Sequence, residues 1–202
     1  APLGGAVTWR PHIWITGGAG SGKTTVLGKY VNFLMNGIRL FAQGNSSEAG
    51  IRQKLKCDAL PVLFDESESN SEKDGMRIQS VLSMVRQASP ESQAEPFKGT
   101  AGGDAMSFHI RSMFCLASIQ VGIKFQADIE RMTVLSLRGA RDDPNAADTW
   151  ARIKDALHVL NRDDALPGRL VRRSLNLLPT TLRNITVFAE AAAIRFGSQR
   201  DG

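Results

Sequence analysis

The residues with the clearest chemical meaning lie near the start of the chain and read G-x-x-x-x-G-K-T. They follow the apolar run 13–15 and precede a helical pattern, which is the strand–loop–helix setting of a phosphate-binding loop (P-loop). Glycines let backbone N–H groups surround a phosphate, and the following helix N-terminus adds partial positive charge. The residues expected to bind a nucleotide are Gly17, Gly18, Ala19, Gly20, Ser21, Gly22, Lys23, Thr24 and Thr25. We expect Lys23 to reach the β- and γ-phosphates and the Thr24 hydroxyl to ligate Mg²⁺.

A second group of candidate residues follows the apolar run 59–64, which predicts a buried strand. It ends in Asp65 and Glu66, the arrangement called Walker B. We expect Asp65 to hold Mg²⁺ and Glu66 to deprotonate a water aimed at the γ-phosphate. A kinase needs no such water activator, so this pair favours hydrolysis. The alternative is that Glu66 only begins the acidic run 65–68.

The remaining pattern predicts an α/β protein with a helical tail. An apolar stripe with Leu27, Tyr30, Val31 and Leu34 predicts a helix at 24–36 that ends at Gly37, and a second stripe predicts a helix at 78–85. A short helix is expected from an N-cap in 45–48, where Glu48 follows Asn45 by three residues. Segments 38–42, 113–119 and 131–137 read as strands, and two short strands around the Gly-rich residues 99–104 predict a β-hairpin. From residue 142 the pattern is only helical: Trp150 and Ile153 lie on the apolar stripe of one helix, and Gly168 and Pro179 are expected to separate helices. We therefore divide the chain into a P-loop ATPase core, 1–141, and a compact helical subdomain, 142–202.

The composition limits the class of protein but does not identify its function. A net charge of +5 permits an anionic partner such as nucleic acid, although a mildly basic enzyme fits equally well. Cys57 and Cys115 are expected to be buried free thiols, and the three histidines lack metal-ligand spacing. Without an apolar run of membrane-spanning length or a signal peptide, we expect a cytoplasmic protein that does not use a membrane. Because the sequence does not begin with Met, it is a candidate fragment of a longer chain.

The order of these parts resembles the superfamily 3 helicases, AAA+-related ring motors of viruses, phages and mobile elements. The similarity covers about residues 12–137: the P-loop, the strand 62–66, a helix, a hairpin, the strand 113–119, and then 128–135. It implies a three-layer P-loop fold with a parallel sheet, and a motor that binds ATP and Mg²⁺. It also implies a homo-oligomeric ring, most often a hexamer, acting on single-stranded or forked DNA in phage or mobile-element replication.

The resemblance also assigns roles to individual residues. Arg131 would project into the neighbouring subunit's nucleotide, with Arg111 and Arg138 as fallback candidates and an ordinary strand-edge arginine as the alternative. The hairpin would enter the DNA channel with Lys98 and Thr100, unless it is a plain surface hairpin. The family's sensor strand normally ends in Asn, whereas this one has Ser118 and then Gln120. Ser118 is the better candidate, with a shorter reach than Asn.

Two other functions remain open at this point. A monomeric P-loop kinase would need a lid arginine pair, for which only Arg172 and Arg173 are available. A non-motor switch or defence ATPase would use the nucleotide to control assembly with a partner domain. DNA-stimulated phosphate release by an oligomer separates the motor from both alternatives.

Overall fold

A five-stranded parallel sheet forms the centre of the fold, which we describe from a computed structural model. The structure describes residues 4–56, 58–65, 72–89, 97–99, 105–107, 109–123, 125–139 and 144–197. The sheet strands are β1 (His12–Thr16), β2 (Leu40–Gln43), β3 (Val62–Asp65), β6 (Phe114–Ser118) and β7 (Met132–Ser136). Their order across the sheet is β2-β3-β6-β1-β7. The predicted α/β class is therefore confirmed.

Helices cover both faces of this sheet, which gives three layers. On one face lie α2 (Glu48–Leu55) and α3 (Glu72–Ala88), and the short α4 (Gln126–Ile129) contacts α3. The core on this face contains Trp14, Leu116 and Phe64, which are paired across the neighbouring strands β1, β6 and β3. On the other face lies helix α1 (residues 25–34), and Leu27 packs there against Ile15 and Leu63. Parallel strands buried on both faces explain the almost continuous apolar runs that predicted them.

Helix α1 follows the P-loop but is not wound as the sequence pattern predicts. Its first part, Thr25–Val31, is π-helical, and one α-helical turn, Asn32–Leu34, follows. The predicted stripe placed Tyr30 on the buried face, yet 45% of Tyr30 is exposed. In a π-helix the backbone bonds join residues five apart, so residues three apart no longer share a face. Val26 and Val31, which are five apart, pack instead with Leu27. Gly37 ends the helix region with φ +82°, as predicted.

Helices α2 and α3 agree with the sequence expectations. The Ser47 hydroxyl accepts a hydrogen bond of 3.1 Å from the Gly50 amide and caps α2. The cap therefore lies within the predicted segment 45–48, but two residues after Asn45, the position that Glu48 indicated. The apolar stripe of α3 is buried: Ile78, Val81, Leu82 and Val85 are each at most 2% exposed. This stripe fixes which side of α3 faces the sheet.

The predicted hairpin is also present. Strands β4 (Phe97–Gly99) and β5 (Ala105–Ser107) pair antiparallel, with Lys98 opposite Met106. The turn between them, including Thr100, lies outside the described residues. The hairpin forms a separate two-stranded sheet before β6, in the predicted chain order.

The C-terminal region differs from the compact tail that the sequence predicts. Helix α5 (Ala146–Asn161) has no buried residue, and α6 runs unbroken over Leu166–Gly197. Pro179 lies inside α6, so the expected break there is wrong. Proline in a helix interior costs about 3 kcal/mol. The Leu- and Arg-rich sequence before it and the Ala-rich sequence after it favour helix strongly enough for α6 to continue. Gly168 lies in the first turn of α6 and does not interrupt it. The division into two domains stays a prediction.

None of the helices within the described ranges combines the length and apolar character that crossing a bilayer requires.

Candidate nucleotide site

The P-loop connects the end of β1 to α1 and is fixed by its neighbour β7. The Leu137 amide donates a 2.7 Å hydrogen bond to the Thr16 carbonyl, one residue before the loop begins. A Cβ on Gly17 would lie 2.8 Å from the Leu137 carbonyl oxygen and 2.5 Å from Ser21 Oγ. Gly20 and Gly22 have φ of +75° and +92°, which L-residues rarely adopt. The glycines are therefore needed for close approach at the first position and for backbone conformation at the later ones.

Lys23 and Ser21 give this loop the character of an anion site. Lys23 Nζ lies over the loop and donates to the carbonyls of Gly17, at 2.6 Å, and Gly18, at 2.9 Å. Ser21 Oγ is buried without a hydrogen-bond partner. A buried hydroxyl without a partner is costly, and a phosphate oxygen would satisfy it. With the adjacent helix N-terminus, the loop supplies a cation, a donor and a favourable dipole, and these fit a phosphate group.

The sheet order brings Asp65 and Ser118 to the same edge as the P-loop. Parallel strands end together, and the register pairs Thr16 of β1 with Ser118 of β6. Phe64 of β3 pairs with Leu116, so Asp65 lies beside the next position, Ala117. A half-buried carboxylate at Asp65 and an exposed hydroxyl at Thr24 are oxygen ligands of the kind that Mg²⁺ prefers. No group of three or more potential metal ligands occurs among the described residues, so these two would bind Mg²⁺ together with phosphate and water. Glu66 lies outside the described residues.

Ser118 has hydrogen-bond partners within the fold. Its hydroxyl accepts a 2.7 Å hydrogen bond from Trp14 Nε1 and donates to the Gln120 carbonyl. The residue is 1% exposed and does not line the cleft beside the P-loop. Ser118 therefore stabilises the centre of the sheet, and its predicted contact with the γ-phosphate stays a prediction.

Arg131 lies at the opposite end of the strands, where the parallel strands begin. It directly precedes β7, whose first residue, Met132, pairs with His12 at the start of β1. The length of β7 puts about 16 Å between Arg131 and the P-loop edge. Its guanidinium lies 5.7 Å from the ring centre of Trp9, and Nη1 donates a 2.5 Å hydrogen bond to the Ala127 carbonyl. The structure thus separates Arg131 from the P-loop of its own chain, and its predicted contact with a neighbouring subunit's nucleotide stays a prediction.

Lys98 of the hairpin is described only through its backbone pairing with Met106. Its role and that of Thr100 in nucleic-acid binding stay predictions. Cys115 is the described one of the two cysteines, and it is a free thiol packed beside Leu27. Cys115 is only partly exposed, and burial raises the pKa of its thiol to about 11, so the thiol is neutral at pH 7.

A cleft beside the P-loop was not predicted from the sequence. It has a volume of about 1060 Å³, and its floor is the P-loop with the first turn of α1. One wall is the segment after β7, Leu137–Gly139, and the other is the first half of α5, with Thr149, Trp150 and Ile153. The helical pattern predicted α5 and placed Trp150 on its apolar stripe. The packing of α5 beside a loop more than a hundred residues earlier is a long-range contact, which periodicity does not reveal.

Comparison with known proteins gives similarities of architecture. No protein-family model matches the sequence, and no curated protein matches it. Among solved structures, JCV helicase, determined with a bound thiazolopyridine acetamide, is similar over 79% of this chain, with 11% identity and a TM-score of 0.46. The C-terminal region of NrS-1 is similar over 77%, with 11% identity and a TM-score of 0.40.

The chain spans 44% of the first of these structures and 35% of the second, less than half of each. At these TM-scores the similarities carry no weight for function, which must be inferred from the site itself.

Proposed function

We propose that the chain is a Mg²⁺-dependent ATP hydrolase. The observation that carries this is the P-loop with Lys23 and an unpaired buried Ser21 hydroxyl, at the same sheet edge as Asp65. The Lys23 ammonium offsets the charge of the β- and γ-phosphates. Thr24 and Asp65 hold the metal ion, which stabilises the charge that develops on the phosphates. Glu66 takes the proton from the attacking water.

We further propose that this hydrolase is a ring motor on DNA, related to the superfamily 3 helicases within the AAA+ class. Three features support it. Arg131 lies at the sheet edge opposite the P-loop, where it can complete only a neighbour's site. The β4–β5 hairpin precedes β6, as a channel hairpin would. The net charge of +5 suits a nucleic-acid partner. A hexamer acting on single-stranded or forked DNA is the form that fits these features.

The test measures phosphate release with Mg²⁺ and ATP, with and without single-stranded DNA, on a sample of known oligomeric size. We expect DNA-stimulated release from an oligomer. Lys23→Ala should abolish nucleotide binding, whereas Glu66→Gln should keep binding and lose release. Hydrolysis that does not respond to DNA at any salt concentration contradicts the motor. Unchanged release by Glu66→Gln excludes Glu66 as the base.

The exposed apolar residues of α6 favour a second candidate, a non-motor switch that binds a partner. Leu175, Leu177 and Val187 are 54%, 48% and 57% exposed. Exposed apolar surface of this kind is typical of protein contacts. A switch would hydrolyse ATP without DNA stimulation and change its oligomeric state with the bound nucleotide. That combination separates it from the motor.

A further inference from the structure

The cleft beside the P-loop has an apolar wall that phosphate binding does not explain. Trp150 and Ile153 of α5 lie along it, and each is about 40% exposed although both are large and apolar. Opposite them, Leu137 and Arg138 follow β7. A volume of about 1060 Å³ exceeds the need of a triphosphate and lies at the upper end of clefts that hold whole small ligands.

The strand order gives a bound nucleotide a direction. Asp65 lies on the β6–β3 side of the P-loop, and the metal and the γ-phosphate belong with this carboxylate. The chain of phosphates must then run across the loop, so the nucleoside leaves on the other side. That side is the β7 side, because β7 is the other neighbour of β1. The cleft walled by α5 opens there.

The chemistry of the wall fits a flat aromatic base. An exposed tryptophan offers a rigid face, and stacking of a base on such a face is favourable for every base. Stacking strengthens with the size of the ring system, so a purine gains more than a pyrimidine. Ile153, one turn further along α5, extends the apolar surface.

We propose that Trp150 is the stacking platform for the nucleoside base and gives the site its preference for purine nucleoside triphosphates. This rests on the proposed function, in which the P-loop binds the triphosphate. Trp150 belongs to the C-terminal helical segment, so α5 completes the nucleotide site from the same chain. The affinity for ATP therefore has two sources. Lys23 and the P-loop bind the phosphates, and Trp150 binds the base.

Binding of three ligands tests the two parts separately. ATP, CTP and inorganic tripolyphosphate are titrated calorimetrically without Mg²⁺, so that no hydrolysis occurs. Wild type should bind ATP more tightly than CTP, and tripolyphosphate least tightly. Trp150→Ala should weaken ATP at least about 5-fold, the lower limit expected for one lost stacking contact. It should reduce the ATP-over-CTP preference and leave tripolyphosphate unchanged. Trp150→Phe, which keeps an aromatic face, should retain most of the ATP affinity.

Val159→Ala is the matched control, because Val159 is an exposed apolar residue of the same helix outside the cleft. It should leave all three affinities unchanged. A loss of ATP affinity below about 5-fold in Trp150→Ala overturns the proposal. An equal loss for tripolyphosphate also overturns it, since Trp150 would then act on the loop. Lys23→Ala tests the other part: if tripolyphosphate still binds, the proposed phosphate site fails, whatever Trp150 does.

Discussion

The Ser118 hydroxyl is the acceptor for a fully buried indole, and this role can be measured without any nucleotide. Ser118→Ala removes the acceptor of Trp14 Nε1. A buried donor without a partner costs about 1–3 kcal/mol, so we expect the free energy of unfolding in urea to fall by that amount. Ser80→Ala is the control, because the Ser80 hydroxyl bonds only its own helix and is exposed.

Unchanged stability in Ser118→Ala contradicts the structural role. The sensor role has a different signature: a lower kcat for ATP hydrolysis with unchanged KM. Both effects can occur in the same variant, and the two measurements separate them.

His12 makes the stability of the fold dependent on pH. Its Nδ1 accepts from the Phe114 amide and its Nε2 bonds Ser89 Oγ, at the centre of a buried site. Burial, and then the charges of Arg10 and Arg131, lower the pKa of His12 to about 4. The imidazole is therefore neutral in the folded chain, whereas the unfolded chain takes up a proton below about pH 6.5.

The free energy of unfolding should fall as the pH drops from about 6.5 to 4, because in that range only the unfolded state binds a proton at His12. Above pH 6.5 it should not change. The full effect is about 3 kcal/mol. Chemical denaturation at several pH values measures the slope, and His12→Asn, which keeps an acceptor for the Phe114 amide, should have a flatter profile. Equal slopes for the two proteins would rule the effect out.

At the scale of elements, the P-loop depends on its contact with the segment after β7. Gly17→Ala places a Cβ within 3 Å of the Leu137 carbonyl oxygen and of Ser21 Oγ. The loop must shift, so we expect ATP affinity to fall at least about 10-fold. Gly18→Ala meets nothing within 4 Å and is the matched control, with a much smaller effect. Calorimetric titration of both variants compares them, and equal affinities would show that the close approach is unimportant.

The elements that the sequence predicts well are those determined by local pattern. The P-loop, the stripe of α3 and the start of α2 follow from glycines, apolar spacing and the short polar side chains of 45–48. The π-helical winding of α1 was missed, because it depends on how Val26 and Val31 meet the sheet. The continuity of α6 through Pro179 was missed because a proline signal is only a local preference.

Within the candidate site, the sequence predicts the P-loop with the strand before it and the helix after it. It does not predict which distant residues the packing brings next to the loop. Trp150 is the example: its position on α5 follows from periodicity, and its place in the cleft does not. The hydrogen bond that the Ser118 hydroxyl accepts is a second example. Its donor, Trp14, lies on β1, two residues before the position that pairs with Ser118.

At the scale of the whole molecule, the proposed ring motor would divide each catalytic site between two chains, because the P-loop and Arg131 of one chain lie far apart. Lys23→Ala and Arg131→Ala should each be inactive alone. Mixed in equal amounts, they should recover up to about one quarter of the wild-type hydrolysis, because a quarter of random interfaces combine an intact loop with an intact arginine. Steady-state phosphate release after mixing and exchange measures this. No recovery, with exchange verified by labelled subunits, contradicts a role for Arg131 in a neighbour's site.

In the proposed ring motor, the register of β1 and β7 has a consequence for symmetry. With its nucleotide at one end of these strands and its arginine at the other, each chain has a head and a tail. Two chains related by a twofold axis would bring like ends together and complete neither site. Only a head-to-tail arrangement serves every chain, and such an arrangement either closes on itself or grows into a filament. A mutation that changes the angle between neighbours would therefore leave each interface active while converting a particle of fixed size into a polymer.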